Sequence, residues 1–305
     1  MKILVTGGAG FIGSHLTDRL IKEGHQAMVL DNFSTGSKKF VNPKAKVARV
    51  DVRDAKKVDS AFKKFKPRIV FHLAAMIDVR ESLRNPTKDY EVNIAGAVNI
   101  LEACKNHKVK KFIFASSAAV YGDNKNLPLP ETEAPTPISP YGASKAAVEQ
   151  FGHAYQDLYN FDVICLRYPN VYGPRQGTVG EGGVIAVFCK NLAKDKGLNI
   201  FGQGRQTRDF IFVDDIVEAN IRALKSKKKF MVINASTNKK TSISSLAKEL
   251  LTISGKNAKI KHLKAIKGEV LHSCLDNRLI KKELNWKPGA SLPEGLKKTW
   301  EWFSK

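Results

Sequence analysis

Three regularly spaced glycines, Gly7, Gly10 and Gly13, most constrain the fold of this 305-residue chain. They follow the short apolar run Ile3-Leu4-Val5 and precede an amphipathic segment from about Ser14 to Lys22, so the order is strand, glycine turn, helix. Glycine permits the tight turn, close packing of helix and strand, and approach of a pyrophosphate to the backbone N–H groups of the helix N-terminus. The G-x-x-G-x-x-G pattern thus predicts a dinucleotide site.

The next strand tests this interpretation, because a glycine turn alone also occurs in ordinary loops. The run from Ala27 to Leu30 ends in Asp31, at the separation where an acid holds the ribose hydroxyls of an adenosine. Since a carboxylate repels a 2′-phosphate, the sequence predicts NAD rather than NADP. An acid that merely ends a strand is the alternative, but the two features together favour the cofactor.

Strand and helix patterns alternate along the first 168 residues. Further strands are predicted near 47–50, 69–72, 112–115 and 163–167. This rhythm predicts an α/β fold with a doubly wound, parallel Rossmann-type sheet.

The rhythm changes after Tyr168, where glycine-rich turns and short strands predict a smaller, interleaved C-terminal lobe. We expect a cofactor-binding domain over 1–168 and a second lobe over most of 169–305. Residues 209–235 are expected to return to the cofactor-binding domain.

Composition narrows the class of protein. With 43% apolar and 26% charged residues the chain is typical of a soluble globular protein, and no apolar run approaches the roughly 20 residues that span a bilayer. We expect a cytoplasmic protein with no membrane partner. The four scattered cysteines show no C-x-x-C spacing and predict neither a metal site nor disulfides.

The formal net charge of +22 raises the question of a polyanionic partner. The lysines are spread in ones, twos and one triplet, Lys227 to Lys229, without an aromatic-interleaved stripe. This distribution favours a solvated basic surface over a nucleic-acid footprint. Attraction of an anionic, phosphate-bearing substrate is a milder functional interpretation.

Tyr141 and Lys145 place a phenol and an ammonium one helical turn apart. Ser139 reads as the N-cap and Pro140 as the first helical residue, so Tyr141 lies in the first turn, where the helix dipole favours negative charge. With Lys145 nearby, such a phenol can serve as a general base near neutral pH. An ordinary amphipathic helix with a surface lysine is the alternative.

Other polar and small residues follow predicted strands. Leu73-Ala74-Ala75 suits the floor under a flat cofactor, and a long helix from about Pro86 to His107 carries Asn93. Ser116 and Ser117 end the fifth strand, at the edge where open α/β sheets bind ligands.

Six motifs, taken together and in order, resemble the extended short-chain dehydrogenase/reductases that act on nucleotide sugars, and among them the UDP-glucose (UDP-galactose) 4-epimerases. The likeness covers nearly the whole chain. The motifs are Thr6 to Gly13, His72 to Ala75, Ser116 to Gly122, Tyr141 to Lys145, Arg167 to Gly173 and Gln206 to Phe210.

The resemblance implies that Ser117, Tyr141 and Lys145 are catalytic, with Ser116 the close alternative to Ser117. Tyr141 would take the proton of the sugar 4-hydroxyl while NAD accepts a hydride from C4. The resulting 4-keto sugar would turn in its pocket and be reduced on the other face, so that NAD ends unchanged.

It also implies binding residues and a homodimer built on the helices around Asn93 and after Tyr141. The cofactor set is Gly7, Gly10, Phe11, Ile12, Gly13, Asp31, Asn32, Ser34, Gly36, Asp51, Val52, Leu73, Ala74, Ala75, Asn93, Ser116, Tyr141, Lys145 and Tyr168. The implied binding residues for a UDP-sugar lie in the 169–305 lobe, except for Ser117. They are Ser117, Asn170, Val184, Asn199, Phe201, Arg208, Glu269 and Ser273.

Ala118 and Ala119 separate sister reactions. The 4,6-dehydratases that this chain resembles carry Asp-Glu there and the decarboxylases a Glu, so the alanines favour epimerisation. A reductase or another epimerase of nucleotide sugars remains the nearest alternative, and a non-catalytic NAD- or RNA-binding relative the remote one.

Two positions depart from or extend the pattern. Ile266 stands where family epimerases usually carry a phosphate-binding arginine, which leaves Lys264 or Lys267 as substitutes, or a different nucleotide pose. Ser273 is small where the sugar C2 substituent is limited, so N-acetylated UDP-hexosamines are expected substrates beside UDP-hexoses.

Overall fold

A seven-stranded, wholly parallel sheet forms the centre of the computed structural model, which describes residues 1–178, 183–266 and 270–305. Its strands are β1 (Lys2–Thr6), β2 (Gln26–Asp31), β3 (Lys46–Arg49), β4 (Ile69–His72), β5 (Lys111–Ser117), β6 (Asp162–Tyr168) and β11 (Phe230–Asn234). They are ordered β3-β2-β1-β4-β5-β6-β11. The order reverses between β1 and β4, where α/β sheets of this type open a crevice for ligands. The predicted doubly wound sheet is therefore confirmed.

Helices cover both faces of the sheet. Those of the first half are α1 (Phe11–Lys22), α2 (Ala55–Phe65), α3 (Val79–Arg84), α4 (Pro86–Asp89), α5 (Gly96–Asn106) and α6 (Pro140–Tyr159). Those of the second half are α7 (Val184–Ala193), α8 (Val213–Lys225), α9 (Ile243–Ser254), α10 (Arg278–Leu284) and α11 (Leu292–Phe303). Two apolar clusters, one on each face, seal the sheet: α2 and α5 pack on one, α1 and α8 on the other.

Short strands lie outside this sheet and support a third apolar cluster. They are β7 (Asn170–Tyr172), β8 (Leu198–Phe201), β9 (Thr207–Arg208), β10 (Phe210–Phe212), β12 (Thr241–Ser242) and β13 (Ile260–Leu263). They pair as β7 with β10, β8 with β13 and β9 with β12. The third cluster draws on α7, α9 and α11, while β11 returns to the main sheet beside β6 as expected.

Three local features differ from the sequence expectations. Helix α1 begins at Phe11, three residues before the predicted Ser14, because Gly10 already serves as its N-cap. The short helix α3 was not predicted. The predicted helix from Pro86 to His107 is a continuous helical run whose middle, Tyr90–Ala95, is a π-helical turn. Within the described residues no helix is both long and apolar enough to cross a membrane.

Candidate active site

The glycine turn brings the end of β1, the start of α1 and the end of β4 into contact. Gly7 has φ +67°, and a Cβ there would lie 2.8 Å from the Ala74 backbone nitrogen. A Cβ on Gly13 would collide with the Gly7 carbonyl oxygen. These two positions therefore need glycine for conformation and for close approach respectively.

No side chain caps the N-terminus of α1. Its N-cap Gly10 contributes no side-chain hydrogen bond, and the first turn carries no acidic residue. The first N–H groups of a helix have no partner within the helix, and together with the positive end of the helix dipole they suit a phosphate. Phe11 and Ile12, both half-buried, form the first turn.

Asp31 lies across the turn from α1, at the end of β2. One carboxylate oxygen accepts a hydrogen bond from the Ala9 N–H at 3.0 Å and the other from the Phe33 N–H at 2.8 Å. Each oxygen keeps further acceptor capacity. Gly36 packs beside the same carboxylate, because a Cβ added to Gly36 would lie 3.0 Å from Asp31 Oδ1.

Asn32, Ser34 and Asp51 form a second polar cluster, in the segments that follow β2 and β3. Asn32 donates from Nδ2 to Asp51 at 2.9 Å, and its Oδ1 accepts from the Ser34 N–H. Hydrogen bonds from Arg53 hold the pKa of Asp51 well below its usual range. Val52 is buried beneath this group.

Thr6 and His72 anchor the segment Leu73-Ala74-Ala75. The Thr6 hydroxyl accepts hydrogen bonds from the Leu73 and Ala74 N–H groups and lies 2.8 Å from His72 Nδ1. Burial, with a smaller contribution from the charge of Lys145, lowers the pKa of His72 to about 3, so its imidazole is neutral. The half-buried alanines thus lie on a rigid base at the crevice.

Asn93 lies in the π-helical turn and is 3% exposed. Its amide donates to the Met76 carbonyl at 2.9 Å, to Asp89 at 2.9 Å and to the Ser144 hydroxyl at 3.2 Å, and it accepts from the Met76 N–H at 2.7 Å. The π turn thereby ties the segment after β4 to α6.

Tyr141 and Lys145 occupy the first two turns of α6, as predicted. Ser139 caps the helix by accepting from the Gly142 N–H, and Pro140 is the first helical residue. Lys145 Nζ donates to the Ala115 carbonyl at 2.8 Å and lies 5.7 Å from the centre of the Tyr141 ring. Burial lowers the pKa of Lys145 to about 8.

The serine pair at the end of β5 divides into two environments. Ser116 is buried and donates its hydroxyl to Glu149 at 2.6 Å. Ser117 is half-buried and accepts from the Ala119 N–H at 3.1 Å. The Ala119 carbonyl packs against Gly142, which brings the turn after Ser117 to the start of α6.

Residues predicted for the substrate lie on several elements of the second half of the chain. Asn170 begins β7, Val184 begins α7, and the exposed Asn199 and Phe201 lie on β8. The Phe201 ring has the Arg80 guanidinium of α3 5.8 Å from its centre, a contact between the two halves of the chain.

Arg208 and Ser273 are brought together by backbone pairing. The Ser273 N–H donates to the Thr207 carbonyl at 3.1 Å, and Arg208 donates to the Leu271 carbonyl at 3.2 Å. Asp209 fastens this region by accepting from the Thr237 and Asn238 N–H groups. Glu269 and Lys267 lie outside the described residues.

Three buried groups near the predicted site were missed by the sequence reasoning: Asp89, Glu149 and Asn220. Asn220 donates to the hydroxyl of the buried Tyr168 at 2.7 Å. The signal for Glu149 was its helical spacing from Lys145, and for Asp89 its helical spacing from Asn93. Neither spacing distinguishes a site residue from a surface charge.

Fold and site together define a nucleotide-cofactor enzyme of the short-chain dehydrogenase/reductase class, with the Tyr-x-x-x-Lys pair at the carboxyl edge of the sheet. The chain belongs to the NAD dependent epimerase/dehydratase family, whose model matches residues 3–235.

Relatives extend over the whole chain. It is 37% identical over 309 residues to a UDP-glucose 4-epimerase of Mycolicibacterium smegmatis, covering 99% of this chain and 98% of the relative. The crystal structure of a UDP-glucose 4-epimerase of Thermotoga maritima with UDP-glucose superposes with a TM-score of 0.97 at 42% identity, covering 99% and 98%. A UDP-N-acetylglucosamine 4-epimerase of Methanobrevibacter ruminantium M1, in complex with UDP-N-acetylmuramic acid, gives 0.94 at 35% identity, covering 99% and 97%.

Proposed function

We propose that this protein is an NAD-dependent 4-epimerase of UDP-hexoses, acting through a transient 4-keto sugar. The observation that carries the proposal is the buried Lys145 ammonium, 5.7 Å from the centre of the Tyr141 ring, beside the turn that follows Ser117. UDP-sugar 4-epimerases match this chain from end to end, which supports the same reaction class here.

The residues of the crevice fit NAD. The uncapped N-terminus of α1 would hold the pyrophosphate, and Asp31 would accept from the adenosine ribose. The other residues of the predicted cofactor set would make the remaining contacts with NAD. When bound, NAD would accept a hydride from the sugar and return it to the opposite face.

The chain's own groups supply the proton chemistry. Tyr141 would take the proton of the 4-hydroxyl and later return it, with the positive charge of Lys145 favouring the phenolate. Ser117 would donate a hydrogen bond to the sugar oxygen, since its hydroxyl is half-buried whereas that of Ser116 is engaged by Glu149. Ala118 and Ala119 offer no acid or base for elimination, which favours reduction of the ketone.

Turnover by the purified protein tests the proposal. Incubation with UDP-galactose and with UDP-N-acetylgalactosamine, without added NAD, should give the C4 epimers, identified by product NMR. UDP-glucuronate and reductase assays complete the panel. Tyr141→Phe should abolish turnover while NAD stays bound. Tyr159→Phe, on the exposed end of the same helix, should retain turnover. Turnover retained by Tyr141→Phe would contradict the assigned base.

The lobe over 169–305 would hold the nucleotide sugar, and residues 1–168 with 209–235 the cofactor. Asn170 and Arg208 would bind the diphosphate, Arg208 through its planar fork, while the backbone around Asn199 and Phe201 would hold the uracil. Val184 and Glu269 complete the proposed set. Lys264 or Lys267 would replace the arginine absent at Ile266.

Ser273 is proposed to admit an N-acetyl group at C2 of the sugar. Its side chain is small and half-buried, next to Arg208 across the Thr207 pairing. Ser273→Tyr should suppress turnover of the N-acetylated substrate alone, and Ser273→Ala should retain both substrates. Equal losses on both substrates in Ser273→Tyr would refute this role.

We also propose a homodimer through the outer face of α6 and the adjacent helical run. Large apolar side chains are exposed there: Tyr90 at 55%, Phe151 at 40% and Leu158 at 70%. Size-exclusion chromatography with light scattering should show a dimer that Leu158→Lys weakens, while Leu271→Lys, remote in sequence and also exposed, should not. A monomeric wild type would exclude the dimer.

The proposed substrates imply a role in galactose metabolism, and a cytoplasmic location stays the expectation drawn from the sequence. The basic surface is proposed to be solvated. Weak, strongly salt-dependent association with RNA in the absence of turnover would instead favour the remote alternative, a non-catalytic binding protein.

A further inference from the structure

The aromatic ring of Phe114, on β5, lies against the ammonium group of Lys145. Lys145 Nζ is 4.8 Å from the centre of the ring, within the range where the face of an aromatic ring attracts a cation. Phe114 is 1% exposed and Lys145 3% exposed, so water does not weaken this attraction. The sequence placed Phe114 only in the strand predicted at 112–115, with no role in the site.

The ammonium needs a second contact to have a fixed position. Its hydrogen bond to the Ala115 carbonyl, at 2.8 Å, sets one distance. An ammonium carries three donors and rotates freely about its stem, so one hydrogen bond does not fix its direction. The ring of the preceding residue, Phe114, supplies the second contact, and the Tyr141 ring lies on the same ammonium at 5.7 Å.

The Phe114 ring is itself held by two aromatic neighbours. His72, its partner in the register of β4 and β5, stacks with it at 5.9 Å between ring centres, and Phe112 on the same strand stacks at 6.3 Å. Because burial lowers the pKa of His72 to about 3, its neutral imidazole does not repel the Lys145 ammonium. The central sheet therefore fixes the orientation of the ring.

We propose that Phe114 is a positioning residue for Lys145, whose ring face holds the ammonium at the Ala115 carbonyl and directs it towards Tyr141. An aliphatic side chain in its place would fill much of the same volume but would lack the negative potential of the ring face. This inference deepens the proposed epimerase function and rests on it, because it concerns the group that would favour the phenolate.

The charged groups around Lys145 come from several elements. Burial lowers its pKa, opposed by the charges of Asp89 at the end of α4 and Glu149 on α6. Glu149 accepts hydrogen bonds from Arg167 on β6, while His72 on β4 is neutral. A change confined to the Phe114 ring leaves all of these charges in place, so its effect reports on the ring alone.

Fluorinated phenylalanines at position 114, introduced by nonsense suppression, test the proposal with little change of shape. Each added fluorine weakens the negative potential of the ring face and so disfavours the charged lysine. The alkaline limb of the kcat/KM profile, where Lys145 loses its proton, should move to lower pH stepwise, by about one unit for three fluorines. The same series at Phe112 is the control and should leave the limb in place. An alkaline limb that stays in place throughout the Phe114 series would overturn the proposal.

A stability cycle tests the contact without catalysis. At pH 6.5, where Lys145 is charged, Phe114→Leu should lower the Tm by about 2 °C more in the wild type than in Lys145→Met, because only the wild type has a cation to lose. Equal Tm losses in the two backgrounds would mean that Phe114 acts through packing alone and would overturn the proposal. Absence of turnover in the wild type would refute the proposed function, whereas this cycle would still decide whether the ring holds the ammonium.

Discussion

Glu149 and Arg167 form a two-pronged ion pair inside the protein, with Glu149 Oε1 2.9 Å from Arg167 Nε and Oε2 2.6 Å from Nη2. Glu149 also accepts from Ser116 at 2.6 Å. One carboxylate therefore joins α6 to the carboxyl ends of β5 and β6, on which Ser117 and Tyr168 lie. These hydrogen bonds fix the position of α6 relative to the ends of β5 and β6, next to the proposed catalytic residues.

Glu149→Gln should lower the free energy of unfolding by about 3 kcal/mol or more, because it leaves the Arg167 guanidinium buried without its counter-charge. Denaturant unfolding measures the change. Asp195→Asn, which breaks an exposed ion pair with Lys256, should change it by less than about 0.5 kcal/mol. Equal effects of the two substitutions would contradict the importance of the buried pair.

Ser117→Ala should lower kcat by about 10²-fold or more if its hydroxyl hydrogen-bonds the reacting oxygen. Ser116→Ala should instead act mainly on stability, by about 1 kcal/mol, through the lost hydrogen bond to Glu149. Steady-state kinetics and denaturant unfolding of both variants distinguish these effects. The reverse pattern would assign the catalytic hydroxyl to Ser116.

The buried Lys145 should make stability rise with pH in the alkaline range. Burial lowers its pKa from 10.5 to about 8 in the folded protein, so between these values the unfolded chain binds more protons. Between pH 8 and pH 10 the wild type should therefore gain about 2 kcal/mol relative to Lys145→Met. Denaturant unfolding of both proteins at the two pH values gives the difference; a constant difference would mean that Lys145 titrates normally.

Gly13→Ala should disrupt the turn, because the new Cβ would meet the Gly7 carbonyl. We expect a loss of about 1–3 kcal/mol in stability and a lower NAD content after purification. Gly177→Ala is the matched control, since a Cβ there has no atom of the described part of the chain within 4 Å. Retention of NAD and stability by Gly13→Ala would show that α1 can shift without cost.

Much of the architecture follows from local patterns. The cap Ser139 and first residue Pro140 of α6 and the return of the chain to the main sheet at β11 were predicted and are confirmed. Each depends on interactions between residues a few positions apart, or on the apolar run of a buried strand, and such signals are present in the sequence itself. Boundaries were less certain, as the start of α1 at Phe11 shows.

The sequence by itself determined the alternation of strand and helix, the glycine turn and the Tyr141–Lys145 spacing, because backbone sterics and helical periodicity act over short separations. Only the tertiary structure decided the surroundings of that pair. It directed Ser116 to Glu149 and left Ser117 half-buried. Contacts between residues more than 30 positions apart depend on how whole elements pack, and local patterns carry no measure of that packing.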